Sequence, residues 1–203
     1  MQIIGIAGAS GSGKSQLAHN VQEAFDPAQV MVLSEDNYYK DQRNLSMAQR
    51  NLMNYDHPDA MDHALLALHL AELSAGRDVE RPVYSFQDHC RTLETATLMP
   101  PKVLILEGIL LFCEEKLRNL IDLRVFMEVP LDICLIRRLE RDVNERGRSL
   151  ESVLAQYQGT VRAGYLEHIL PSRGFADLLV PEGGDNPAAV AMLTAQITAM
   201  LAV

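Results

Sequence analysis

The chain of 203 residues is short of cysteine pairs, of positive charge and of long apolar runs, and each shortage removes a class of protein. Cys90, Cys113 and Cys134 are scattered with no C-x-x-C pair, which predicts reduced core thiols in a cytoplasmic protein. The formal charge of −9 and pI of about 5.1 exclude the broad basic face of a nucleic-acid binder. An anionic ligand must then meet positive charge that is local. No apolar run reaches membrane-crossing length, and the first residues run straight into a glycine-rich loop, which fits no signal peptide. Neither an internal repeat nor a low-complexity segment interrupts the chain. The expectation is a single α/β domain over 1–203, long enough to bury a proper core.

What is present is organised around Gly8-Ala9-Ser10-Gly11-Ser12-Gly13-Lys14-Ser15. This stretch fits G-x-x-x-x-G-K-[ST], the phosphate-binding loop, and sits between an apolar strand-like run (Gln2 to Ala7) and a helical pattern (Gln16 to Phe25). Glycines let the backbone curl so that its N–H groups point inward, and the helix that follows starts with its positive dipole end at the phosphates. Lys14 then reaches the outer phosphates, and Ser15 offers a hydroxyl to Mg²⁺. A glycine-rich turn without a ligand is the bland alternative, and the strand before and helix after argue against it.

Strand and helix patterns alternate through the remainder. Val30 to Ser34 reads as a buried strand, and Glu35-Asp36-Asn37-Tyr38-Tyr39-Lys40-Asp41 leaves its carboxyl end, where ligands sit in open α/β sheets. Ser46 to Met53 reads as a short helix, and Leu65, Leu66, Leu68, Leu70 and Leu73 mark a helix from Asp59 that stops at Gly76. Asp78 to Leu98 differs from its surroundings: two strand-like runs joined by Gln87 to Arg91 predict a hairpin, a flap over the edge of the sheet. Val103 to Leu106 is continuously apolar, as in a central parallel strand, and ends in Glu107-Gly108. Helices are expected over Glu114–Leu120, Leu131–Glu145, from Ser149 to a stop at Pro171, and over Pro187–Leu201, with strands at Leu123–Val129 and Leu178–Val180.

Glu107, at the end of a buried strand, stands where a phosphate-loop enzyme places the acid that completes a magnesium shell. Asp36 is the candidate base for an attacking hydroxyl, with Glu35, Asp41 and Asp56 as rivals. Arg137, Arg138, Arg141, Arg146 and Arg148 put five of the 14 arginines within 12 residues. An arginine-bearing lid over about 137–160, hinged at Arg146-Gly147-Arg148, would close over transferring phosphates; the plainer reading is a solvated helix with pairs such as Arg138–Asp142 and Arg141–Glu145. Tyr84 and Phe86, two apart on a strand, share a face and, with His89 at the hairpin tip, offer a surface for a flat heterocycle or an ordinary piece of core. His57, His63 and His69 have no companions that would make a metal site.

With these residues in view, the chain closely resembles the uridine-cytidine kinase family of P-loop nucleoside kinases. The likeness is carried by Gly8 to Ser15, Ser34-Glu35-Asp36-Asn37-Tyr38-Tyr39-Lys40, Asn54-Tyr55-Asp56-His57-Pro58, Pro82-Val83-Tyr84-Ser85-Phe86, Glu107-Gly108-Ile109-Leu110 and Arg137-Arg138 through Arg148, and it covers nearly the whole length. It implies the P-loop kinase fold, a parallel sheet flanked by helices, with a β-hairpin flap at about 78–98 and the arginine-rich helical lid. It implies transfer of the γ-phosphate of ATP or GTP, with Mg²⁺, to the 5′-hydroxyl of uridine or cytidine in pyrimidine salvage. By the same resemblance Gly8, Ser10, Gly11, Ser12, Gly13, Lys14, Ser15 and Arg146 hold the nucleotide, and Ser15 and Glu107 serve the metal. Asp36 becomes the base, with Lys14 and Arg141 completing the catalytic set. Asp56 and Arg138 become ribose partners, Tyr84 and His89 read the pyrimidine edge, and Tyr39, Tyr55 and Phe86 pack round the acceptor. Arg148 and Gln156 complete that site, and the family is typically a homotetramer.

Two positions depart from the family pattern. Pro181-Glu182-Gly183 reverses a charge where relatives commonly have Pro-Arg-Gly, and Ala163-Gly164 replaces a proline after Val161-Arg162, where a change of local bend is expected. Two other readings stand beside the nucleoside kinase. One is a related kinase for a sugar phosphate or pantothenate, against which Tyr84 and His89 speak; the other is a GTPase-like switch, which lacks its Asn-Lys-x-Asp signature here.

Overall fold

The computed structural model describes residues 1–202. Its centre is a five-stranded sheet of β1 (Gln2–Gly8), β2 (Val30–Ser34), β5 (Val103–Gly108), β6 (Leu123–Glu128) and β7 (Leu178–Pro181), in the order β2-β5-β1-β6-β7. Every pairing in it is parallel, with Ile4 of β1 opposite Ile105 on one side and Leu123 on the other. Parallel strands need crossovers, and helices supply them on both faces. The two-stranded antiparallel pair β3 (Val79–Ser85) and β4 (Cys90–Leu98) stands apart from that sheet, with a register shift between Pro82 and Tyr84.

Successive strand residues point to opposite faces, so a strand covered on both sides must be apolar throughout. β5 obeys this: Leu104 and Leu106 pack with Leu66, Leu70 and Phe112 on one face, while Val103 and Ile105 pack with Leu17, Val21, Leu193 and Ile197 on the other. The helices are α1 (Lys14–Gln22), α2 (Met47–Arg50), α3 (His63–Ser74), α4 (Glu115–Arg118), α5 (Leu131–Asn144), α6 (Leu150–Gln156), α7 (Arg162–Gly164), α8 (Leu170–Ser172) and α9 (Pro187–Leu201). α1 and α9 cover the second face, and α3 covers the first.

Several boundaries differ from the sequence reading. α1 starts at Lys14 rather than Gln16 and ends at Gln22, because Gly13 at φ 91° turns the loop directly into the first helical residue. The helix expected from Asp59 is a 3₁₀ turn (Pro58–Ala60) followed by α3, whose true cap is Asp62, accepting from Leu65 N–H at 3.1 Å. α2 is only one turn, held by a capping box in which Ser46 and Gln49 satisfy each other's backbone N–H. The largest departure is at Pro171, which does not stop its helix. α6, α7 and α8 are one helical run interrupted by π-helical turns at Tyr157–Val161 and Tyr165–Ile169, and a 3₁₀ turn extends it to Phe175. The second π turn bonds Leu170 N–H to Tyr165 C=O, and that widened turn makes room for the proline ring. Ala163 and Gly164 lie between the two π turns.

Candidate active site

The loop after β1 and the first turn of α1 form one wall of a cavity at the carboxyl end of the sheet. Gly8, Gly11 and Gly13 all have positive φ, which directs the backbone N–H groups to one side. Gly13 also packs so tightly against Gly184 that a Cβ would lie 2.6 Å from its backbone nitrogen. Lys14 is buried and donates from Nζ to Ala9 C=O at 2.9 Å. Burial pushes its pKa down, and the carboxylates of Glu107 and Asp36 oppose that fall. Gly11, Gly13, Lys14, Ser15, Gln16, Glu107, Gly108 and Arg137 line this cavity together with Ser10, Asp36, Ile109 and Arg141.

A second cavity opens from the first. It is lined by Tyr39, Tyr55, Asp56, Tyr84, Phe86, His89, Arg138, Arg146, Arg148 and Gln156, and it shares Ser10, Asp36, Ile109 and Arg141 with the phosphate cavity. Its floor is a chain of rings: Tyr84 lies 5.0 Å from Tyr39, Tyr39 meets Tyr55 edge-on at 5.5 Å, and Tyr55 stacks on His89 at 5.2 Å. His89 adopts φ 50°, unusual for a residue with a side chain, and burial followed by the charges of Arg148, Arg146 and Arg50 lowers its pKa. The imidazole is therefore neutral near pH 7, with one nitrogen donating and the other accepting. Phe86 is 37% exposed and lies past the end of β3, where the guanidinium of Arg146 covers its ring at 3.9 Å.

The hairpin that carries these rings is tied to the β2 exit. Arg91 donates to Tyr39 C=O at 2.8 Å and pairs with Asp62 at 3.2 Å, while Arg50 of α2 donates to Asp88 C=O at 2.9 Å. Asp36 stands at the junction of the two cavities. Burial, then Glu107 and Glu35, push its carboxyl up to about 7, against the pull of Lys14 and Arg146. Asp56 is also raised by burial, opposed first by Arg138.

Two of the rival acids are accounted for otherwise. Glu35 is fully buried and is held by His63 Nε2 at 2.7 Å and the Leu110 N–H at 2.9 Å. Asp41 is ion-paired with Arg43 on the surface and lines neither cavity. Of the pairs in the plainer reading of this helix, Arg138–Asp142 forms, at 3.8 Å, and Arg141–Glu145 does not; Arg141 turns to Asp142 at 2.8 Å. Asp142 is the residue that spacing alone did not single out as central. It is fully buried and also faces Arg138, Arg146 and Arg148 at 3.8, 3.4 and 3.4 Å. Burial works to raise its pKa, but the guanidiniums outweigh burial and hold it below the usual carboxylate range. Gln156 Oε1 accepts from Arg138 at 2.9 Å and from Arg148 at 2.6 Å, which joins the long helix to the same cluster.

Gln16, Gly108 and Ile109 were also not among the expected site residues, and Arg137 was named only as part of the arginine-bearing lid. Arg137 lines the phosphate cavity and donates to Glu182 C=O at 3.3 Å; its place in the arginine run was the signal. The three histidines serve separate ends: His57 accepts from Asp59 N–H, His63 pairs with Glu35, and His69 bonds the Tyr38 hydroxyl at 3.0 Å.

Two curated proteins similar to this chain match it over nearly its whole length. The uridine kinase of Shewanella amazonensis (strain ATCC BAA-1098 / SB2B) is 54% identical over 204 residues, covering 98% of this chain and 96% of its own. That of Salmonella newport (strain SL254) is 52% identical over 200 residues, covering 97% and 94%. Among solved structures, the phosphoribulokinase from Rhodobacter spheroides superposes with a TM-score of 0.63 at 15% identity, covering 92% of this chain and 73% of its own, a likeness of fold. The architecture is that of a P-loop kinase. With the family match running over residues 3–189, the chain belongs to the Phosphoribulokinase / Uridine kinase family.

Proposed function

We propose that the protein transfers the γ-phosphate of ATP or GTP to the 5′-hydroxyl of uridine or cytidine, giving UMP or CMP. The observation that carries this reading is the junction at Asp36: a lysine-based phosphate cavity and an aromatic cavity meet at one carboxyl. A flat base fits against Tyr84 and His89, and its ribose reaches Asp56 and Arg138. The neutral His89 can donate to or accept from a pyrimidine edge, which suits both uracil and cytosine. The 5′-oxygen then points towards Asp36 and the phosphate loop.

In the reaction Asp36 takes the proton of the 5′-hydroxyl as its oxygen bonds to the γ-phosphorus. The bond from that phosphorus to the β,γ-bridging oxygen breaks, and the nucleoside diphosphate leaves. Little covalent chemistry falls to the protein, so placing and charge neutralisation dominate. Lys14 and Arg141 face the transferring group, with Arg146 and Arg148 closing from the lid side. Ser15 and Glu107 are hard oxygen donors at the cavity wall, the ligand chemistry that Mg²⁺ takes alongside phosphates and water. Bound there, Mg²⁺ would neutralise charge on the β- and γ-phosphates.

The family resemblance further supports a cytoplasmic homotetramer with the β3–β4 hairpin as flap; no helix among the described residues is long and apolar enough to cross a membrane. The test of the reaction is turnover of γ-labelled ATP and GTP with a panel of nucleosides extended to ribulose 5-phosphate. Label appearing on uridine and cytidine upholds the reading. Equal, negligible turnover on all nucleosides, or preference for the sugar phosphate, rejects it.

A further inference from the structure

Glu35 lies next to Asp36 in sequence yet touches neither cavity. Its side chain is 0% exposed, and both carboxylate oxygens are engaged. Oε1 meets His63 Nε2 at 2.7 Å, and Oε2 accepts the Leu110 N–H at 2.9 Å. His63 is the first residue of α3, and Leu110 lies two residues beyond the end of β5, just past Glu107-Gly108-Ile109. One buried carboxylate thus joins three segments: the turn carrying Asp36, the strand exit carrying Glu107, and the start of α3.

The sequence around the clamp is shaped to it. A Cβ on Gly108 would sit 2.1 Å from Glu35 Oε2 and 2.3 Å from Glu35 Cβ, so the carboxylate occupies space that only glycine leaves open. The 3₁₀ turn Glu35–Tyr38 is capped from behind by Ser34, whose hydroxyl accepts from Asp36 N–H at 3.3 Å. With its side chain buried on one side and its backbone capped on the other, the turn has little freedom left, and Asp36 inherits its position from it. A buried carboxylate is costly unless paired, which makes the clamp strict: removing a partner leaves charge or an N–H unsatisfied.

We propose that Glu35, with His63, is a positioning residue for phosphoryl transfer: it fixes the distance between the Asp36 and Glu107 carboxylates by bridging the exits of β2 and β5. Small misplacement of reacting groups costs rate far more than binding, because the transition state alone demands the alignment. The kinetic part rests on the reaction proposed above; the structural part does not.

The experiment compares Glu35→Ala, Glu35→Gln, His63→Leu and His63→Gln in the full chain, by steady-state kinetics with ATP and uridine and by crystal structures. Glu35→Ala is expected to lower kcat on the order of 10²-fold, with KM for both substrates within about threefold. Glu35→Gln keeps an acceptor for Leu110 and a group that bonds His63, and should recover most of that loss. Wild-type kcat in a folded Glu35→Ala protein, or a loss confined to KM, overturns the proposal. Should Glu35→Ala not fold, the histidine pair decides: His63→Gln near wild type with His63→Leu low in kcat upholds it, and His63→Leu with full kcat overturns it. Should wild type itself show no nucleoside turnover, the crystal structures decide, since an unchanged Asp36–Glu107 separation in Glu35→Ala or His63→Leu rejects the clamp whatever the acceptor is.

Discussion

Arg141 and Asp142 are neighbours in the chain whose side chains also meet, with Arg141 Nη2 2.8 Å from Asp142 Oδ1. An adjacent pair in a helix does not normally share a face, and here the contact forms because the fully buried Asp142 is ion-paired with Arg138, Arg141, Arg146 and Arg148 together. An acidic protein thereby gathers cationic groups at one place without their repelling one another out of position.

Asp142→Asn should cost about 1–3 kcal/mol of stability, since it leaves guanidiniums without their counter-charge, three of them partly solvated. The sign with pH follows from a lowered pKa. The stability that Asp142 contributes is full above the ordinary carboxylate value and is lost as pH falls through the lower folded value. Denaturant unfolding from pH 7 down to pH 3 should therefore show a shallower acid loss in the asparagine variant.

Asp36→Asn is expected to reduce turnover by about 10²–10⁴-fold while ATP binding persists. The same variant should be more stable than wild type at pH 8. A carboxyl raised to about 7 favours the folded state below its unfolded value near 3.8, and that contribution is lost as pH rises towards 7. Calorimetric Tm values at pH 5 and pH 8 check this: the gain of the variant should be larger at pH 8.

His89→Ala should raise KM for uridine and for cytidine by about tenfold or more, the loss of one or two hydrogen bonds in a buried site, with KM for ATP unchanged. Its stack on Tyr55 at 5.2 Å makes Tyr55→Ala a companion with the same direction of effect. Nucleoside titrations under saturating ATP are the measurement.

Arg146→Lys keeps the charge but gives up the planar group over the Phe86 ring. A double-mutant cycle with Phe86→Leu, read in kcat/KM for uridine, should give a coupling of about 0.5–1 kcal/mol. Additive losses would mean that Arg146 and the hairpin do not act through this contact.

Much of the sheet was legible because a strand buried on both faces must be continuously apolar, as Val103 to Leu106 is, and because the glycines of Gly8 to Ser15 stand where the loop takes positive φ, at Gly8, Gly11 and Gly13. What stayed hidden was set by contacts between distant segments. Glu35 and Asp36 are adjacent acids, and only the approach of His63 and Leu110 decides which of them is buried in the frame and which faces the cavities. Asp142 looked like one half of an i,i+4 pair with Arg138, since four-residue spacing does not reveal that its neighbour Arg141 turns onto it and that Arg148 folds back onto it from beyond the helix end. Pro171 read as a stop because the rule assumes α-helical hydrogen bonding, which the π turn before it abandons.

The most direct test is a crystal structure with cytidine and a non-hydrolysable ATP analogue bound together. The account predicts the triphosphate on Gly8–Ser15 with Lys14 at its outer phosphates, the base against Tyr84 and His89, and the 5′-oxygen within hydrogen-bond distance of Asp36. A nucleoside lodged away from Asp36, or with its 5′-oxygen turned from Lys14, would contradict it.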